Sequence, residues 1–246
     1  MQYRIGCSGY YYPQWKGKLY PLPLKPKDWL AFYSAVFNTV ELNGTFYRMP
    51  KINDLKKYAL VTPPDFRFSV KMSRYVTHVN RLKEQQPITE FQNLVRDGLQ
   101  EKLSYFLFQM PPSFKYTEQN LEEIIEHVPH APGNVIEFRH VSWWNDNVKD
   151  ALQQAQITFC NVDFPGLESY FINTTDHFYL RLHGNPTLFT TPYDVDRLQQ
   201  FYADIPKQAT YGSVYFNNTI TEAGYQNALQ LLDLIKRSNV PVTINE

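Results

Sequence analysis

Eight short β-type runs, nearly all separated by helical stretches, recur along the 246 residues, and this alternation leaves few folds open. The runs lie at Gln2–Ser8, Val36–Asn43, Phe66–Lys71, Leu103–Gln109, Asn134–Arg139, Ile157–Asp163, Phe178–His183 and Gly212–Asn217. Helical patterns occupy Lys27–Ala35, Ile52–Val61, Thr89–Lys102, Glu118–His127, Asn147–Gln156, Asp194–Ile205 and Thr221–Ser238. The stretch after the sixth run, through Pro165 and Gly166, is short of helical signal. Strands linked by crossover helices pair in parallel. Eight of them suit a closed barrel, which typically needs about 250 residues. An open dinucleotide-binding sheet would carry a Gly-rich phosphate turn after its first strand. Here Gly6-Cys7-Ser8-Gly9 leads into aromatics and prolines instead. The expected fold is one α/β domain over residues 1–246, a single (β/α)8 TIM barrel.

Strand side chains alternate faces with period two, and the inward face of the last residues reaches the barrel mouth. Ile136 and Phe138 suit the helix side of the fifth run, which turns Glu137 and Arg139 inward. By the same reading Tyr179, Arg181 and His183 point inward, as do Arg67, Ser69 and Lys71. Glu41 and Asn43 follow in the second run, Tyr105, Leu107 and Gln109 in the fourth, Asn161 and Asp163 in the sixth. Ser213, Tyr215 and Asn217 complete the set. The inferred interior holds Arg4, Arg67, Lys71, Arg139 and Arg181 against Glu41, Glu137 and Asp163. Buried ions must be paired. Two cations are left over on this count, and a small anionic ligand would satisfy them.

Each candidate has a structural role as its competitor. Glu137 and Asp163 are candidate general bases, with a buried ion pair as the alternative. His183 is a candidate acid, Glu41 a further catalytic carboxylate, and Arg139 and Arg181 an anion clamp. Lys71 is a phosphate ligand, a partner of Glu41 or an amine of depressed pKa. Asn43, Gln109, Asn217 and Asn218 can hydrogen-bond a ligand or cap neighbouring elements. His140 falls on the other parity, and His78 with Arg81 sits on a loop that could close over an anion. Tyr10, Tyr11, Tyr12 and Trp15, with Phe46, Tyr47, Trp143 and Trp144, form either an aromatic wall or loop packing.

The 24 basic and 24 acidic residues cancel, so no global field draws nucleic acid or anionic membrane. Two cysteines, Cys7 and Cys160, are too few for a disulfide framework. No signal segment or run of 18 apolar residues occurs, and the cytoplasm is the expected location. No His-x-x-x-His or paired-Cys spacing marks a metal site, and no cofactor is identified.

Several segments are similar to one family. Glu41-Leu42-Asn43-Gly44-Thr45-Phe46-Tyr47-Arg48, Thr77-His78 with Arg81-Leu82, Gln109-Met110-Pro111-Pro112, Glu137-Phe138-Arg139-His140 with Ser142-Trp143, Arg181-Leu182-His183-Gly184 and Tyr215-Phe216-Asn217-Asn218 resemble the YecE-like family of uncharacterised proteins. The resemblance runs from Ile5 to about Leu232, with Gly44 where the family usually has Ser and Cys7 where it commonly has Thr. It implies a (β/α)8 barrel of unknown function and names no reaction.

Three functions compete. One is an enzyme acting on a small phosphorylated or carboxylated metabolite by proton transfer or hydrolysis. The second is a metal-dependent phosphodiesterase of the endonuclease type, against which the neutral charge counts. The third is a non-enzymatic anion sensor. A retaining glycosidase of the large barrel clan would need carboxylates after strands four and seven, where Gln109 and His183 stand.

Overall fold

The computed structural model describes residues 2–168 and 170–238. Strands β1 (Gln2–Cys7), β2 (Thr39–Leu42), β3 (Arg67–Lys71), β4 (Leu103–Gln109), β5 (Asn134–Glu137), β6 (Thr158–Asp163), β7 (His177–Leu182) and β8 (Tyr211–Phe216) form one parallel sheet. Its order is β1-β8-β7-β6-β5-β4-β3-β2, the topology of the (β/α)8 barrel. Among the described residues seven α-helices surround it. They are α1 (Trp29–Val36), α2 (Ile52–Val61), α3 (Gln85–Leu99), α4 (Glu118–His127), α5 (Asp146–Gln154), α6 (Val195–Asp204) and α7 (Ala223–Arg237).

Caps and sterics set the helix limits. Thr117, Asn145 and Asp194 each accept a backbone N–H three residues on, starting α4, α5 and α6. Helix α3 begins four residues before the expected Thr89, because Pro87 falls in its first turn, where its missing N–H costs nothing. Helix α1 runs to Val36, so β2 is shorter than its apolar run. The segment after β6 is bound back to the strand by side chains. Asn161 Nδ2 donates to Ile172 O at 3.0 Å, and Ile172 N donates to Asn161 Oδ1 at 2.8 Å.

No backbone ladder joins β1 to β2 among the described residues; side chains bridge that seam. Ile5 N donates to Asn38 Oδ1 at 3.0 Å, and Asn38 Nδ2 donates to Tyr3 O at 2.9 Å. Cys7 N donates to the Tyr33 hydroxyl at 2.7 Å, which donates to Thr39 O at 3.2 Å. A carboxamide and a phenol thus satisfy the edge groups that a ladder would. The strands meet closely enough that a Cβ on Gly6 would lie 2.1 Å from Thr39 O. Tyr33→Phe keeps the packing and strands the buried Cys7 N–H. We expect it to cost about 1–3 kcal/mol in urea unfolding; an unchanged midpoint would show that the phenol does not close the barrel.

Candidate functional site

The barrel interior is polar at the carboxyl ends of its strands, and Arg181 on β7 is its centre. This fully buried guanidinium donates from Nε and Nη2 to Glu41 on β2, at 3.0 and 2.7 Å for the shortest contacts. Its Nη1 donates to Glu137 Oε2 on β5 at 2.5 Å. Glu41 also accepts from Tyr179 Oη at 2.7 Å and Ser8 Oγ at 2.8 Å. Glu137 accepts from Arg139 Nε through its other oxygen. One cation between two acids, with hydroxyls on the remaining lone pairs, is the arrangement that makes buried charge tolerable. Burial pushes the Glu137 carboxyl up, yet Arg139, Arg181 and Lys71 outweigh it and hold the group below the usual carboxylate range. Burial opposes the Arg181 charge, and the two carboxylates reverse this and raise its pKa.

Arg139 continues the network outward. Its guanidinium lies 4.2 Å from the centre of the Phe164 ring, and Nη2 sits 3.2 Å from His183 Nε2. An arginine N–H only donates, so Nε2 accepts and Nδ1 carries the proton. Asn217 Nδ2 lies 2.8 Å from Nδ1, so a proton on Nδ1 requires the Asn217 amide to be turned so that its carbonyl oxygen faces the ring. Burial, with Arg139, Arg181 and Lys71 close by, pushes the His183 pKa well down. The imidazole is neutral at pH 7, so an acid role would draw on its neutral N–H rather than on an imidazolium proton. We expect the His183 ring resonances to stay constant between pH 5 and 8; a titration step there would contradict the assignment.

Lys71 on β3 is different. Its Nζ donates to neutral Gln109 Oε1 at 2.7 Å and lies 4.3 Å from the Phe46 ring centre. Among the described residues it has no carboxylate within salt-bridge distance. Burial and Arg181, with help from Arg139 and against Glu137 and Glu41, bring it down to about 8. His78, edge-on to Phe46, is lowered to about 4 by burial, Lys71 and neighbouring arginines.

Other expectations are corrected. Asp163 and Asn161 do not face the interior, because β6 turns Cys160 inward, its Sγ 3.9 Å from Glu137 Oε2. Asp163 instead accepts from Tyr193 Oη at 2.7 Å and pairs with Arg197 of α6 at 3.3 Å. Apolar residues on both parities of this run hid its phase. Arg4 and Arg67 lie at the opposite, amino-terminal end, bound to backbone carbonyls. The mouth therefore holds Lys71, Arg139 and Arg181 against Glu41 and Glu137, a surplus of one cation rather than two. Both Glu137 oxygens are held by guanidiniums, Oε1 by Arg139 and Oε2 by Arg181. Trp143 is core, stacked on Phe138 and Phe114, and Trp15 is buried as well. Asn218 is buried and donates to Thr191 O and Asn227, a loop brace. His140 is tied to Ser142, and Tyr47 projects to solvent.

Beside the mouth, Tyr10, Tyr11, Tyr12, Tyr58, Asn43 and Arg48 border a groove of about 460 Å³. The buried Asn43 Oδ1 has no partner there. Sequence reasoning missed Ser8 and Phe164, which close the Glu41 and Arg139 environments. The only signal for either was its place one residue past a strand end. Among the described residues no group of three His, Cys, Asp or Glu side chains could hold a metal ion, and no helix is long and apolar enough to cross a membrane.

A TIM barrel whose mouth encloses a Glu–Arg–Glu network beside an unpaired lysine is the class that fold and site define. The chain belongs to the family described as "Protein of unknown function DUF72", whose model matches residues 4–245. A DUF72 family protein (TM1631) from Thermotoga maritima MSB8 superposes with a TM-score of 0.85 at 32% identity, covering 96% of this chain and 100% of that one. A second (EF0366), from Enterococcus faecalis V583, gives 0.80 at 21% identity over 99% and 98%, and shows the fold alone. The UPF0759 protein YunF of Bacillus subtilis (strain 168) is 28% identical over 136 residues, 52% of this chain and 48% of that protein, so the match spans about half its length.

Proposed function

We propose that this protein is an enzyme that binds a small carboxylated or phosphorylated substrate at the barrel mouth and moves a proton with Lys71. One observation carries the reading: the Lys71 ammonium faces a neutral amide and a ring, while both nearby carboxylates are spent on guanidiniums. Such a cation is destabilising until an anion joins it. Burial first, and then Lys71, Arg139 and the other nearby arginines, lower the pKa of both His78 and His183, in line with a positive field at the mouth.

The chemistry follows from the lysine pKa. Near pH 8 both forms of the amine are populated, as acid–base catalysis requires. The neutral amine takes a proton from bound substrate, and the ammonium then returns it to the product. Arg139 Nη1, which has no protein acceptor among the described residues, remains for the substrate's charge. The metal-dependent phosphodiesterase gains no support, since Asp163 is turned away from the other acids.

Lysine side-chain NMR tests the reading, with inorganic phosphate and malonate as probes. An anion beside Nζ should raise the Lys71 pKa by about one unit or more. Solvent deuterium should then enter a turned-over substrate in the wild type and not in Lys71→Met. An unchanged lysine pKa would overturn the site. A raised pKa with no exchange or turnover across a metabolite panel would overturn the enzyme and leave an anion sensor.

A further inference from the structure

The opposite end of the barrel holds a second polar cavity, of about 330 Å³, bordered by Arg4, Arg67, Tyr105, His177, Tyr211 and Ser213. Arg4 starts on β1 and donates from Nη1 to Asn38 O at 3.3 Å and Asp65 O at 2.8 Å. Arg67 donates from Nη1 to Pro64 O at 2.9 Å and Phe66 O at 3.1 Å. All of these acceptors are neutral carbonyls. Among the described residues neither guanidinium has a carboxylate within 4.0 Å, and no protein acceptor meets the Nε or Nη2 of either. Both arginines border the cavity.

We propose that this floor cavity is a second anion site, taking a tetrahedral oxyanion such as phosphate or the phosphate group of a small ester. Two forks of N–H donors on one cavity match the oxygens of such a group, which arginine holds bidentately. The two charges repel one another, and burial with Arg67 nearby lowers the Arg4 pKa. A bound dianion removes that repulsion. On the remaining wall Ser213 brings a hydroxyl, while His177 meets the Tyr105 hydroxyl through Nδ1 at 3.0 Å and lies 3.8 Å from the Asp176 carboxylate through Nε2, which makes its ring a reporter on the cavity. Asp65 and Asp176 sit in the loops ahead of β3 and β7, and among the described residues they pair with neither arginine. Carboxyl-end chemistry lies at the far end of the strands, so the floor site regulates or stabilises rather than catalyses.

The His177 ring resonances read the site directly. Inorganic phosphate, titrated against chloride at constant ionic strength, should shift them saturably in the wild type and in Lys71→Met alike. In Arg67→Gln the apparent affinity should fall by about tenfold or more. Arg67 is partly exposed and tied only to local carbonyls, so that variant keeps the fold. Arg67→Lys, which keeps the charge and loses the fork, should fall between the two. No saturable shift, or equal affinity in Arg67→Gln, overturns the proposal. A floor response that survives while Lys71 ignores phosphate would sink the mouth reading and leave this one standing.

Discussion

Arg181→Met should be the most destabilising single replacement among the mouth residues, lowering unfolding free energy by about 3–5 kcal/mol. The guanidinium is the shared partner of Glu41 and Glu137, both fully buried, and methionine fills much of its volume without its charge. Two carboxylates then face each other in the interior with only Arg139, Tyr179 and Ser8 to answer them. The pH dependence gives a sharper test. In the wild type the depressed Glu137 pKa means the unfolded chain binds more protons in acid. Its contribution is present above the unfolded carboxylate pKa and is lost as pH falls below about 4.3. Without Arg181 the buried carboxylates take up protons more readily folded than unfolded, so the deficit should shrink as pH falls from 7 toward 5. Urea unfolding across that range decides it. A deficit independent of pH would mean that packing, not charge, is what Arg181 supplies.

Lys71→Met should abolish turnover and at the same time stabilise the fold. A lysine lowered to about 8 is a penalty on the folded state wherever the unfolded chain keeps it protonated. Between pH 8 and the unfolded value near 10.4, the folded protein sheds that proton first, so wild-type stability rises with pH. Below pH 8 the penalty is complete, on the order of 1–3 kcal/mol after allowance for solvent at the mouth. The variant should therefore melt higher than wild type at pH 7, and the gap should narrow at pH 9.5. A lower melting temperature for Lys71→Met at pH 7 would show instead that Lys71 holds the barrel together, and the proposed role would fall with it.

Much of this was legible in the residues. Period-two alternation assigned Glu41, Lys71, Glu137, Arg139, Arg181 and His183 to the interior because each lies in a run whose other face is mostly apolar. Strand β6 failed for the opposite reason. Phe159 and Val162 are apolar on both parities, so nothing in the run told Asp163 from Cys160. Trp143 looked like a ligand wall and proved to be core, since a tryptophan whose Nε1 reaches Phe114 O at 2.7 Å buries at little cost.

The sequence by itself determined eight parallel strands, the inward polar faces of most of them and the kinds of charge carried there, because hydrophobic period and backbone sterics act locally along the chain. Only the tertiary structure decided which charges meet. Arg181 finds Glu41 and Glu137 across the barrel, Arg4 and Arg67 are sent to the other end, and Lys71 is left with a neutral amide. Coulomb energy depends on distances between strands that are far apart in the chain, and closure of the sheet, not the order of residues, sets those distances.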